Sequence, residues 1–247
     1  MLGYALCQAS NTNNEQPTTN NYTLSNFVFN PILILVGLTV LVSAYAWSND
    51  DLMESWILRP YRMARDNSQW YRFLTSGFLH ADWGHLLFNM IAFYSFGGLV
   101  LDVLANGTGA PGLDGFGAVG GVWRFLLLYL GGIVVSDIPT YFRHRDDRDY
   151  GSLGASGGVA SVLFAGVIYA PLNKIYIMFI PVGIPGFIFG FLYLAYSYYQ
   201  GRRRGDNINH DAHFYGALYG VVFTLLFMPA AGVEFIRQIG QFTRSIN

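Results

Sequence analysis

Long apolar runs separated by short polar segments dominate the chain. The first, Phe27 to Trp47, is close to the roughly 20 residues that cross a bilayer as a helix, and Asp50, Asp51 and Glu54 mark its return to water. Five more follow: Trp83 to Leu104, Arg124 to Thr140, Ala155 to Ala170, Tyr176 to Tyr199 and Ala212 to Met228. The pattern predicts an all-α membrane protein, a bundle of six transmembrane helices with both termini on one side of the membrane. Between the first two runs, Trp56 to Leu79 interleaves aromatics with Arg59, Arg62, Arg65 and Arg72. Such a segment is too apolar for a loop and too charged for a span, which places it in the interface. Gly107 to Gly121 is a glycine-rich connection, and Pro181 and Pro185 predict an irregular or broken entry to the fifth span. Residues 1–26 are polar, rich in Asn and Thr and without Lys or Arg, and read as a disordered tail rather than a targeting peptide. Residues 27–230 then form a single membrane domain without internal repeats, and 231–247 a short amphipathic tail.

Composition sharpens the class. Charged residues make up 12% and hydrophobic ones 53%, whereas soluble domains carry about 25% charged residues. The bulk of the chain therefore belongs in lipid, as a multi-pass protein assigned to the cell's inner or plasma membrane. A net charge of −1 removes nucleic acid as a partner. Cys7 is the single cysteine and cannot close an internal disulfide.

Alternation of the spans brings the candidate chemistry together. The second, fourth and sixth spans all begin on one face of the membrane. His80 and His85 lie at the mouth of the second, His210 and His213 at that of the sixth, and Ser156 at that of the fourth. The stretch Gly151-Ser-Leu-Gly-Ala-Ser-Gly-Gly-Val-Ala160 admits two readings. It is either a small-residue contact between membrane helices, or a nucleophile and oxyanion site using the free N–H groups of a helix start. His85 and Asn89, one turn apart, are either a hydrogen-bonded structural pair or oxyanion donors. His213 precedes Gly216 and Gly220 on one helix face, and that glycine stripe admits a close neighbour, for which Gly157 and Ser161 of the fourth span form the matching small-residue stripe. A neutral histidine reaching such a neighbour's serine is a minimal base and nucleophile. Ser152 and Ser161 are the next serines in line. His144, in Arg-His-Arg-Asp-Asp, reads as a solvated charge, and Asp211 has no catalytic role because adjacent helical residues diverge.

These residues in this order resemble the rhomboid intramembrane serine proteases. The resemblance runs from about Trp70 to Gly220. It rests on Gly154-Ala-Ser156-Gly157, His80-x4-His85-x3-Asn89, Ala212-His213-x2-Gly216-x3-Gly220 and Trp70-Tyr-Arg72. It implies a rhomboid-like bundle in which Ser156 is the nucleophile and His213 the general base of a dyad. It further implies that His85 and Asn89 are oxyanion donors and His80 a structural loop histidine. Substrates would be transmembrane proteins with a locally unwound helix and a small residue before the cut, acted on within the lipid bilayer. The resemblance calls for no cofactor, and the histidines have no acidic or cysteine companions at zinc-like spacing. One departure stands out: some relatives carry an aromatic ring four residues after the nucleophile, stacked on the catalytic histidine, and here that position is Ala160. Phe214 or another ring is the expected substitute.

Two rival classes are a catalytically inactive relative that binds membrane clients and a transporter. The first expects loss of the serine or histidine, and both are present. The second expects polar groups along the whole bilayer depth and inverted repeats, whereas here they gather at one end. Ten of the fourteen basic residues fall on the serine side. The positive-inside rule puts that side in the cytoplasm, while the resemblance puts it outside.

Overall fold

The computed structural model describes residues 30–176, 182–203 and 208–245. The expected polar tail, 1–26, lies outside them, as do Phe27, Pro181 and Arg204. Helix α1, Pro31–Ala46, opens on a proline, whose missing N–H costs nothing at a helix start. Its buried residues Ile32, Leu35, Thr39, Ser43 and Ala46 recur every three or four positions. That spacing makes one stripe, turned toward α2, Trp83–Asn106. The arginine-rich segment between them folds into short helices, Asp50–Trp56, Pro60–Met63 and Arg72–Thr75, with two 3-10 turns. Its staple is Arg72, which is buried and donates to the carbonyls of Glu54 (2.8 Å) and Ile57 (2.7 Å). Trp70 beside it is 56% exposed.

Helix α3 covers Gly117–His144, longer at both ends than the expected Arg124 to Thr140. The extra first turn is glycine-rich, which disfavours helix locally. Packing overrides that preference: a methyl group on Gly121 would lie 2.7 Å from the Ala105 backbone, so only glycine lets α3 approach α2 there. Helix α4, Ser156–Tyr169, is buried at every residue except Ser156 and Ile168, which are partly exposed. It packs against α2, α3 and the later α6, His210–Phe227, and is the axis of the bundle.

The fifth expected span needs correction. Lys174–Tyr176 (β1) and Gly183–Pro185 (β2) pair as an antiparallel hairpin, and helix α5 begins only at Gly186, running to Arg203. Pro185 thus ends a strand instead of breaking a span, in keeping with a residue that fixes φ and lacks an N–H. The amphipathic tail is a helix, α7, Ala230–Ser245, bent 109° from α6.

Large apolar side chains such as Leu41, Leu87, Trp123, Phe191 and Leu226 point outward, while Thr39, Ser43, Ser76, Asp137, Thr140 and Ser161 are buried. This is the distribution of a protein solvated by lipid. Among the described residues α2 and α3 are long and apolar enough to cross a membrane alone. The bent pair α6–α7 qualifies if taken as one span, and α1 and α4 are apolar but shorter.

Candidate active site

The loop into α4 is held from three sides. Ser152 exchanges two backbone hydrogen bonds with Leu58 (2.9 and 3.1 Å), and the Gly154 N–H donates to the Ser76 carbonyl at 3.0 Å. Gly154 has φ +126°, which side-chain-bearing residues rarely adopt. A methyl group there would also lie 2.7 Å from the His85 ring, so the ring rests directly on the loop that delivers Ser156. Ser156 is the first residue of α4, where the helix leaves N–H groups unpaired and its dipole is positive.

His80 is wholly buried. Its Nδ1 is 3.0 Å from Ser43 Oγ, its Nε2 lies 3.5 Å from the Ala155 N–H, and its carbonyl accepts from Trp47 Nε1 at 2.7 Å. Ser43 Oγ donates to the Phe78 carbonyl. That leaves it to accept from Nδ1–H and leaves Nε2 free to face Ala155. Burial, reinforced by the neighbouring His85, pushes the His80 imidazole down to about 3. His80 therefore stays neutral and ties α1 to the loop before Ser156.

His85 lies in the first turn of α2 with its N–H on the capping Asp82 (2.8 Å). Asn89, buried one turn later, donates one amide hydrogen to the His85 carbonyl at 3.0 Å. Its second amide hydrogen is available for other work.

Helices α4 and α6 touch backbone to backbone. A methyl group on Gly216 would lie 2.8 Å from the Gly157 Cα, and one on Gly220 would lie 2.8 Å from the Ser161 Cα. Gly157 is itself backed by Ser136 of α3, which would be 2.6 Å from a methyl there. Ser156 adjoins Gly157, and His213 lies three residues before Gly216, so both sit at the same end of this contact. The ring stacked on His213 is neither residue 160 nor Phe214. Tyr193 of α5 lies with its centroid 6.0 Å away at 27°, while Phe214 packs on Tyr198 and Tyr215. Ala160 and Tyr193 belong to one apolar cluster with Phe164, so the small residue on α4 accompanies a large one on α5.

Three further polar residues, none of them singled out by sequence, line α3 beneath the site. Ser136 backs Gly157, Asp137 accepts from Ser76 Oγ at 3.2 Å, and Thr140 donates to Asn209 Oδ1 at 3.1 Å. Their spacing, one turn or less apart on a buried stripe, was the available signal. His144 is corrected from a solvated position: its largely buried ring stacks on Tyr150 (3.6 Å, 12°) and brings Nδ1 to 3.6 Å from Asp147 Oδ2. Asp211 forms an ion pair with Arg143. Ser161 is fully buried, with its hydroxyl on the Leu128 and Gly158 carbonyls, and Ser152 accepts from Asn209 Nδ2.

Comparison with known proteins places the chain in a family. The family model described as "Rhomboid domain" matches residues 67–230. A Bacillus subtilis protein named "Putative rhomboid protease YdcA" is 33% identical over 99 residues, 40% of this chain and 41% of the relative. Two Arabidopsis thaliana proteins also match. RHOMBOID-like protein 12, mitochondrial, is 26% identical over 68% of this chain and 51% of its own. Rhomboid-like protein 11, chloroplastic, is 30% identical over 67% of this chain and 56% of its own. The chain thus spans about half the length of the curated relatives it matches.

Proposed function

The chain belongs to the rhomboid family, and from that premise we propose that it is an intramembrane serine endopeptidase acting through Ser156 and His213. The six helices α1 to α6 serve as its spans. The observation that carries the reading is the close contact of α4 with α6 at Gly157–Gly216, which fixes the serine and histidine ends of the two helices side by side. With fourteen residues, α4 is about 21 Å long at about 1.5 Å per residue. That falls short of the hydrocarbon thickness of about 30 Å. Ser156 therefore lies within the membrane's depth, where a transmembrane substrate presents its peptide bonds.

The reaction is acyl transfer. His213 takes the Ser156 proton as Oγ attacks the carbonyl carbon of the scissile bond. The resulting oxyanion is held by His85, by the second Asn89 amide hydrogen and by the Ser156 backbone N–H. His213 returns the proton to the leaving amine, and the peptide C–N bond breaks. Water, deprotonated by the same histidine, then releases the new carboxylate and restores Ser156. His80 and the Trp70–Arg72 segment hold the framework, and Gly154, Gly157, Gly216 and Gly220 admit the close approaches. Tyr193 supplies the ring that fixes the plane of His213.

The test is cleavage of a single-span reporter protein in liposomes by wild type, Ser156→Ala, His213→Ala and the double variant. Each single change is expected to abolish turnover, and the double to be no worse, because a nucleophile and its base fail as one unit. A folded wild type that binds the reporter without cutting it would favour an inactive, client-binding relative.

A further inference from the structure

Asn209 occupies a position that a helix cap alone does not require. Its Oδ1 accepts the Ala212 N–H (3.0 Å), which is the ordinary bond of an N-terminal cap. The same oxygen takes the Thr140 hydroxyl of α3 at 3.1 Å. Its amide hydrogen goes to Ser152 Oγ at 2.9 Å, across 57 residues of sequence. The amide cannot be turned round, since its nitrogen would then face the Ala212 N–H, donor against donor.

Each end of this connection lies four residues before a member of the dyad. Ser152 precedes Ser156 and is fixed by two backbone bonds to Leu58. Asn209 precedes His213, whose own N–H is 3.3 Å from the Asn209 carbonyl. Thr140 is fully buried on the helix that also backs Gly157 through Ser136 and anchors Ser76, the residue that accepts the Gly154 N–H. One side chain thus joins the nucleophile loop, the base helix and the helix beneath both.

We propose that Asn209 is a positioning residue that sets the distance between Ser156 and His213 by clamping the start of α6 to Ser152 and Thr140. The proposal rests on the protease reading above. Without the clamp the first turn of α6 keeps its ion pair to α3 through Asp211 and Arg143 but loses its side-chain tie to Ser152. It can then shift relative to the loop before Ser156, and a misplacement of about 1 Å can cost about 100-fold in rate.

The test uses the full chain in liposomes, with a fluorogenic single-span reporter peptide and a fluorophosphonate probe. Asn209→Ser keeps a capping oxygen of equal rank but cannot reach Ser152, and Ser152→Ala removes the acceptor from the other side. Both are expected to lower kcat and the rate of probe labelling about 10- to 100-fold. KM should stay within about twofold, since the reporter contacts are untouched. The double variant should be no worse than the worse single, because both break the Asn209–Ser152 bond. Wild-type kcat in either folded variant, losses that multiply in the double, or losses that vanish once activity is normalised to folded enzyme would each overturn the clamp. Ser156→Ala, run alongside, separates the two layers. If it still cuts the reporter, the protease reading fails and the clamp with it. If it is dead while the Asn209 and Ser152 variants turn over normally, only the clamp fails.

Discussion

Single residues here act through hydrogen-bond arithmetic that the structure makes countable. Asn89 has two amide hydrogens and spends one on the His85 carbonyl, leaving one for the oxyanion of the proposed reaction. Asn89→Ala should therefore lower kcat about 10- to 1000-fold with KM nearly unchanged, the upper figure being what a fixed oxyanion donor can contribute. A raised KM with intact kcat would make Asn89 a substrate contact. Tyr193 offers His213 a ring contact of the kind that contributes about 0.5–1.5 kcal/mol, or up to about tenfold in rate. Tyr193→Ala should lose about that much kcat and Tyr193→Phe almost none, and equal losses would shift the role to the hydroxyl. His80 carries a pH signature. Its imidazole is held at about 3 against an ordinary 6.5, so the unfolded chain binds the proton more readily. Stability is then complete above about 6.5 and falls as pH drops toward 3. Thermal unfolding in detergent should show this acid decline, and His80→Asn should flatten it. An unchanged slope in the variant would assign the decline to other groups.

At the scale of elements, the α4–α6 contact is decisive, and it was partly legible beforehand. Gly216 and Gly220 recur one turn apart on the sixth span, and Gly157 with Ser161 forms a matching small-residue stripe on the fourth. The structure pairs those two stripes, Gly216 against Gly157 and Gly220 against Ser161. Gly220→Leu should abolish reporter cleavage although it touches neither Ser156 nor His213, and Gly216→Leu should do worse. Full cleavage by a well-folded Gly220→Leu protein would mean that the helices do not meet there. The hairpin before α5 was not legible, because three-residue strands are too short to show a period and their prolines read equally well as a helix break.

Across the whole molecule, the motifs that could be read were those written within one short stretch of chain, such as His80 to Asn89 or Gly154 to Gly157. The partners of those motifs were invisible for a physical reason. Tyr193 meets His213, and Asn209 meets Ser152 and Thr140, through packing between distant segments whose spacing carries no local pattern. Ser76 and Asp137 likewise lie 61 residues apart. Arginine placement on the loops is a separate, global feature, and it is shared between ion pairs such as Arg59–Glu54 (2.8 Å) and Arg143–Asp211. The central claim is that one serine of this chain is activated by one histidine. Its most direct test is fluorophosphonate labelling of the protein in liposomes, with the modified residue located by mass spectrometry. The account predicts modification at Ser156 in wild type and almost none in a folded His213→Ala variant. Labelling at Ser152 or Ser161 instead, or undiminished labelling of Ser156 without His213, would contradict it.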